Sequence, residues 1–166
     1  MTRFVAGILA GFLILAAGAY LFIIVGGMPV AVRGNSLPLE RWIARTSIHA
    51  AIGKDADKAS PISATEPNLT HGAKEYTEHC AGCHGIPNHP SSIGKAMYPH
   101  APQLFDPNKG VTDDPAGETY WKVKNGIRLT GMPAFTDILD ETEIWQISLL
   151  LKNADHLPEA AIHELK

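Results

Sequence analysis

The longest uninterrupted hydrophobic run of the chain lies at its N-terminus. Residues 4–25 contain no charged side chain and consist mainly of Ile, Leu, Ala, Gly and Phe. A helix of about 20 apolar residues crosses the hydrocarbon core of a bilayer. Arg3 precedes the run, and Gly26, Gly27 and Pro29 follow it. The pattern therefore predicts that residues 1–29 form a transmembrane anchor, with residues 4–25 in the membrane.

A secretory signal peptide is the alternative interpretation of this run. Such a peptide has an apolar core of roughly 7 to 15 residues followed by small residues at the cleavage site. Residues 17–19, Ala-Gly-Ala, match that cleavage pattern. Cleavage there would leave the apolar residues 20–25 as a new N-terminus. The length of the run and this awkward product favour an anchor that is not cleaved.

Residues 30–67 predict a linker with a candidate interfacial helix. Residues 39–52 have amphipathic spacing, and Trp42 lies between Arg41 and Arg45, which suits the membrane–water interface. The same helix could instead dock on the following domain or on a partner. Residues 54–67 are rich in Ala, Ser, Asp and Pro, as linkers are.

Helical signals dominate residues 68–166, and no period-2 strand pattern of any length is found there. Helix caps and apolar spacing of three and four residues predict three helices. The first runs from Asn68 or Thr70 to about Cys80, the second lies between Asp114-Pro115 and Gly126, and the third begins at Asp140 with Glu143 completing a capping box. We therefore expect a small all-α domain behind the N-terminal helix.

Charge is distributed unevenly along the chain. Residues 1–53 contain four Arg and one Glu, whereas residues 54–166 contain ten Lys or Arg and sixteen Asp or Glu. The acidic C-terminal part argues against nucleic-acid binding and suits a basic docking patch on a protein partner. Ordinary solvation explains the same charge equally well.

The chain contains two cysteines, in the sequence Cys80-Ala81-Gly82-Cys83-His84. This C-x-x-C-H spacing is typical of covalent haem attachment, in which two thiols bond two vinyl groups and the histidine ligates the iron. A thioredoxin-like redox pair would need a βαβ setting, which the pattern lacks, and a zinc site would need more ligands. A single motif predicts one covalently bound haem c, and Cys80, Cys83 and His84 are the residues of the motif that bind it.

From about Asn68 to Leu157 the chain resembles the class I cytochrome c family. Gly72, Tyr76 and Cys80 stand four residues apart, as a small residue, an aromatic and the first cysteine do in that family. The resemblance also includes three segments: residues 101–104 (Ala-Pro-Gln-Leu), 125–127 and 131–135. It implies that the first helix crosses the last one closely at Gly72. It also implies that the Pro102 carbonyl accepts a hydrogen bond from the His84 ring and that Leu104 lies beside the haem.

The same resemblance implies a methionine on the open face of the iron. Met1 and Met28 belong to the N-terminal segment, and Met97 follows His84 by only thirteen residues. Met132 follows it by forty-eight, and Pro133 biases Met132 away from helical geometry. We therefore expect Met132 to be the second axial ligand. Histidine ligation is the alternative, with four candidates: His71, His79, His89 and His100.

A closed, six-coordinate iron predicts an electron-transfer protein and not an enzyme. We expect redox protein partners, membrane complexes among them, and no small-molecule substrate or nucleic acid. A peroxidase-like haem enzyme, a gas sensor with an open sixth position, and an assembly subunit are the alternatives. The resemblance implies haem attachment outside the cytoplasm, which predicts the bacterial inner membrane with the haem domain in the periplasm. The count of flanking arginines favours the opposite orientation.

Overall fold

The computed structural model describes residues 1–108 and 110–166. Within these ranges the chain forms α-helices and one 3₁₀ helix, Gly53–Asp57, and no strand, which confirms the all-α prediction. The helices are α1 Thr2–Ile24, α2 Glu40–Ile52, α3 Glu66–His79, α4 Ala81–His84, α5 Ser92–Ala96, α6 Ala116–Asn125, α7 Glu141–Lys152 and α8 Glu159–Glu164.

The N-terminal helix α1 is exposed along nearly its whole length. Among the described residues it alone is long and apolar enough to cross a membrane. Both an anchor and a signal sequence are compatible with such a helix. The chain divides into two compact units, Met1–Ile43 and Ala44–Lys166. The predicted domain boundaries after residues 29 and 67 stay a prediction.

The core of the second unit is built on the crossing of α3 and α7. Gly72 is buried against α7, and a Cβ atom on it would overlap the backbone carbonyl of Gln146. Tyr76 of α3 and Ile147 and Leu150 of α7 have no exposed surface. Since only a residue without a side chain allows this approach, the sequence at position 72 determines how closely the two helices pack.

The capping signal at the start of α7 produces the expected geometry. The Asp140 carboxylate accepts a hydrogen bond from the Glu143 N–H at 2.9 Å, and the Asp140 N–H donates to Glu143 Oε2 at 2.8 Å. This reciprocal pair is a capping box, as the sequence predicted. It fixes the point at which α7 begins.

Helix α6 is held between α7 and the 3₁₀ helix. Tyr120 stacks on Trp145 with ring centroids 4.2 Å apart. At the other side, a Cβ on Gly117 would lie 2.6 Å from the Asp55 carbonyl oxygen and 2.8 Å from that of Lys58. Residues 55–58 therefore contact α6 directly.

Helix α8 was not predicted from the sequence. Ala161 and Leu165 are buried against the core, and the Thr77 hydroxyl donates a hydrogen bond to the Glu164 carbonyl at 2.9 Å. The C-terminal residues thus pack against α3.

We predict that Gly72→Ala lowers the free energy of unfolding by about 2 kcal/mol, because the added Cβ must push α3 away from the α7 backbone. Chemical denaturation of the haem-loaded protein measures the change. Gly82→Ala is the matched control, since a Cβ at Gly82 meets no atom within 4 Å. An equal effect of the two substitutions would contradict the prediction.

Candidate haem-binding site

The Cys-x-x-Cys-His segment lies where α3 ends and the one-turn helix α4 begins. Cys80 is the C-cap of α3, and Cys83 and His84 lie in α4. Gly85 ends α4 with φ at +71°, a conformation that favours glycine. The buried Tyr76 hydroxyl donates a hydrogen bond to the Gly85 carbonyl at 2.8 Å. This bond ties the end of α4 to the body of α3.

The His84 ring is oriented by the loop that follows α5. Its Nδ1 lies 2.8 Å from the Pro102 carbonyl oxygen. Because a carbonyl only accepts, Nδ1 carries the proton and Nε2 keeps its lone pair. Burial lowers the pKa of His84, while the hydrogen bond to Pro102 opposes that shift. The result is a neutral imidazole with Nε2 available as a metal ligand.

Side-chain hydrogen bonds hold the Pro102 loop against α4. The Ser91 hydroxyl donates to the Gly82 carbonyl at 2.6 Å and accepts from the Gly94 N–H at 3.0 Å. The Gln103 side-chain oxygen accepts from the Ser91 N–H at 3.0 Å. Ser91 thereby links α4, α5 and the loop in one network, which positions the Pro102 carbonyl.

One apolar cleft brings the sequence-predicted site residues together. Its lining includes all six: Cys80, Cys83, His84, Pro102, Leu104 and Met132. The cleft has a volume of about 300 Å³ and is walled on one side by α6 and α7. Residues up to fifty-two positions apart in the sequence thus face the same space.

Met132 lies in a loop that is closed by its own hydrogen bonds. The Ile127 N–H donates to the Met132 carbonyl at 3.1 Å, and the Thr130 hydroxyl donates to the Ile127 carbonyl at 2.7 Å. The same hydroxyl accepts from the Met132 N–H at 3.1 Å. The Phe135 N–H then bonds the Val123 carbonyl of α6 at 3.1 Å. These bonds fix the loop at both ends and leave the Met132 side chain in the cleft.

The cleft also contains residues that sequence reasoning missed. Met97 lines it beside Met132, and its methyl group occupies the space next to Gly131. Ile48 and His49 of α2 line it as well, although α2 was assigned to the linker segment. No motif marks them, because their position depends on how residues 44–52 pack within the second unit.

The candidate histidine ligands separate into two groups. His79 and His100 line the cleft with His49 and His84, whereas His71 and His89 do not. The His79 ring packs on Phe135 with centroids 6.3 Å apart. His100 and His49 are exposed and lie at the edge of the lining.

The chemistry of these donors fits a covalently attached haem. Burial raises the pKa of the Cys80 thiol to about 12, with smaller contributions from Cys83 and Glu75. A free thiolate is therefore disfavoured there, whereas an uncharged thioether suits the apolar surroundings. A neutral imidazole, two neighbouring sulfurs and an apolar wall match what a c-type haem needs.

Comparison with protein families gives a match over residues 67–149 to the family described as cytochrome c oxidase, cbb3-type, subunit III. The chain belongs to this family. It is a class I c-type cytochrome, as the resemblance implied, and its domain is one for haem c and electron transfer. None of the curated proteins compared with this cytochrome matches it.

We predict that Gly85→Ala destabilises this cytochrome by about 2 kcal/mol or more and lowers the fraction of chains that carry covalent haem. The alanine would be strained at φ +71°, and its Cβ would lie 2.6 Å from the His89 carbonyl oxygen. A haem-to-protein ratio from the reduced pyridine spectrum and a thermal melt measure both effects.

The matched control is Gly53→Ala, because Gly53 also has a positive φ, +48°, but a Cβ there meets nothing within 4 Å. Gly53→Ala introduces backbone strain alone, so any larger effect of Gly85→Ala measures the crowding beside His84. Full haem loading and unchanged melting of Gly85→Ala would show that this turn does not position the ligand.

Proposed function

We propose that the chain is a membrane-anchored cytochrome with one haem c that transfers single electrons between protein partners and catalyses no reaction of its own. The observation that carries the proposal is the meeting of Cys80, Cys83, His84 and Met132 in one apolar cleft. A single Cys-x-x-Cys-His motif supports one haem.

Each of these residues has a distinct part in the proposal. Cys80 and Cys83 would form the thioether bonds, His84 would ligate the iron through Nε2, and Met132 would supply the second ligand. Pro102 and Leu104 hold the His84 ring and the apolar surroundings in place. Haem c, when bound, gains and loses one electron at its iron. A thioether at the sixth position favours the reduced iron and fills the site that small molecules would need.

Charge and the family description support a protein partner. The acidic residues of the second unit outnumber its basic ones, so its surface suits a basic patch on a redox partner. The family description names a subunit of a cytochrome c oxidase. We infer that the cytochrome acts with a membrane oxidoreductase, either as a subunit or as a tethered carrier.

The N-terminal helix supports a membrane location. Its exposed apolar surface has the length of a bilayer span. Tethering to the membrane raises the effective concentration of the haem domain near a membrane partner. We propose the bacterial inner membrane, with the haem domain on the periplasmic side, where haem is attached to this motif.

We predict that Met132→Ala abolishes the far-red charge-transfer band from methionine sulfur to ferric iron, because it removes the sixth ligand. The absorption spectrum of the oxidised, haem-loaded protein measures the band. Met97→Ala is the matched control, because Met97 lines the same cleft, and we expect it to retain the band.

Two outcomes would contradict this assignment. A band that is lost in Met97→Ala but kept in Met132→Ala would exchange the roles of the two methionines. Absence of the band in the unsubstituted protein, together with rapid carbon monoxide binding to the reduced form, would indicate an open iron and favour a haem enzyme or gas sensor.

We predict that the full chain remains in the membrane fraction after a high-salt wash and retains residues 4–25 uncleaved. Replacing residues 1–29 with a cleavable signal peptide should release a haem-loaded periplasmic protein. N-terminal mass spectrometry makes the measurement. A mature protein that begins at Tyr20 would show instead that residues 1–19 are a signal peptide.

A further inference from the structure

Glu75 is a buried acid that the haem site does not explain. It lies on α3 with 8% of its surface exposed. Among the described residues, two imidazole nitrogens lie within 4 Å of its carboxylate: His71 Nδ1 at 3.9 Å and His79 Nε2 at 3.5 Å. Both distances exceed those of ordinary hydrogen bonds. A buried carboxylate without a close donor is destabilising unless a cation faces it.

A second acid approaches Glu75 from the neighbouring helix. One ligand atom each of His71, Glu75 and Glu143 lie within 4.8 Å of one another. His71 and Glu75 are four residues apart on α3 and therefore share a face, while Glu143 belongs to the first turn of α7. The capping box holds Glu143 in place, since its Oε2 accepts from the Asp140 N–H at 2.8 Å. A carboxylate has further acceptor sites for a metal.

We propose that His71, Glu75 and Glu143 bind one divalent transition-metal ion of the Zn²⁺ class at the crossing of α3 and α7. Imidazole nitrogen and carboxylate oxygen are ligands that Zn²⁺ accepts, whereas Mg²⁺ and Ca²⁺ prefer oxygen alone. Ligand atoms of tetrahedral zinc are about 3.4 Å apart. The proposal therefore requires that the three ligand atoms, now within 4.8 Å of one another, move closer when the ion binds.

The burial of Glu75 and the exposure of His71 suit a metal site with one coordination position open to solvent. The Glu75 side chain is 11% exposed, while that of His71 is 45% exposed and gives access from solvent. Three protein ligands leave a fourth position for water. Glu75, Glu78 and His79 form a second set of close ligand atoms. That set lies on α3 alone, and His79 lines the haem cleft, so we assign the ion to the set that joins two helices.

The ion would stabilise the contact on which the haem domain is built. It connects α3 to α7 one turn away from Gly72 and compensates the charge of Glu75. Because the three ligands meet only in the folded chain, metal binding raises the stability of the folded state. This inference does not depend on the identity of the sixth iron ligand or of the redox partner.

Calorimetric titration of Zn²⁺ into the haem-loaded full chain in detergent, after other divalent metal ions are removed with a chelator, tests the proposal. We expect one tight site per chain and a higher melting temperature with Zn²⁺. Glu143→Gln keeps an oxygen for the capping box, and His71→Ala alters an exposed side chain. Each should weaken binding more than about tenfold and remove the thermal shift.

His156→Ala is the matched control, because His156 and Asp155 form an exposed imidazole–carboxylate pair at 3.3 Å outside the cluster. It should leave both the tight site and the thermal shift unchanged. Equal Zn²⁺ binding by the unsubstituted chain, Glu143→Gln and His71→Ala would overturn the proposal and leave the two histidines as charge partners of Glu75. Absence of tight binding in the unsubstituted chain would do the same.

Discussion

The close crossing of α3 and α7 at Gly72 is the contact on which the rest of the haem domain depends. Helix α3 continues into Cys80 and α4, so its position sets where the two sulfurs and the His84 ring lie. Helix α7 supplies Ile147 and Leu151 to the opposite wall of the cleft. Because a Cβ at Gly72 would overlap the Gln146 carbonyl, the backbones themselves are in contact. The separation of α3 and α7 is therefore set by backbone packing and not by adjustable side chains.

The second constraint is the apolar character of most of the cleft lining around Cys80 and His84. An apolar wall disfavours an imidazolium and a thiolate, which is why burial lowers the pKa of His84 and raises that of Cys80. Two polar groups beside His84 serve to position the site. The Tyr76 hydroxyl bonds Gly85, and the Pro102 carbonyl bonds His84. Ligands held in this way keep their geometry with little movement, which suits a site that gains and loses an electron.

Features with a local signal were predicted from the sequence. The capping box of Asp140 and Glu143, the helix end at Gly126 and the Cys-x-x-Cys-His motif each depend on residues close together in the chain. The hydrogen bond from His84 to Pro102 was expected only through the family resemblance, since eighteen residues separate the pair. The ligand roles of Cys80, Cys83, His84 and Met132 stay predictions.

Features that arise from tertiary contact could not be predicted. Helix α8 is short, and its burial depends on Thr77 and the surface of α3. Ile48 and His49 join the cleft only because α2 folds onto it. Gly117 gives no local signal for its contact with the carbonyls of residues 55–58. Tyr120 of α6 stacks on Trp145 of α7. The pattern of each helix indicates that its aromatic residue is buried, but it does not predict which residue of the other helix it contacts.

The two methionines of the cleft lie in different local surroundings. Met132 belongs to a loop closed by hydrogen bonds among Ile127, Thr130 and itself. Met97 follows α5, and its methyl group fills the space that the missing side chain of Gly131 leaves. A flexible thioether is well suited to fill such a gap. Met97 therefore supports the loop from the side, while the loop itself holds Met132 toward the cleft, and this division favours Met132 as the ligand.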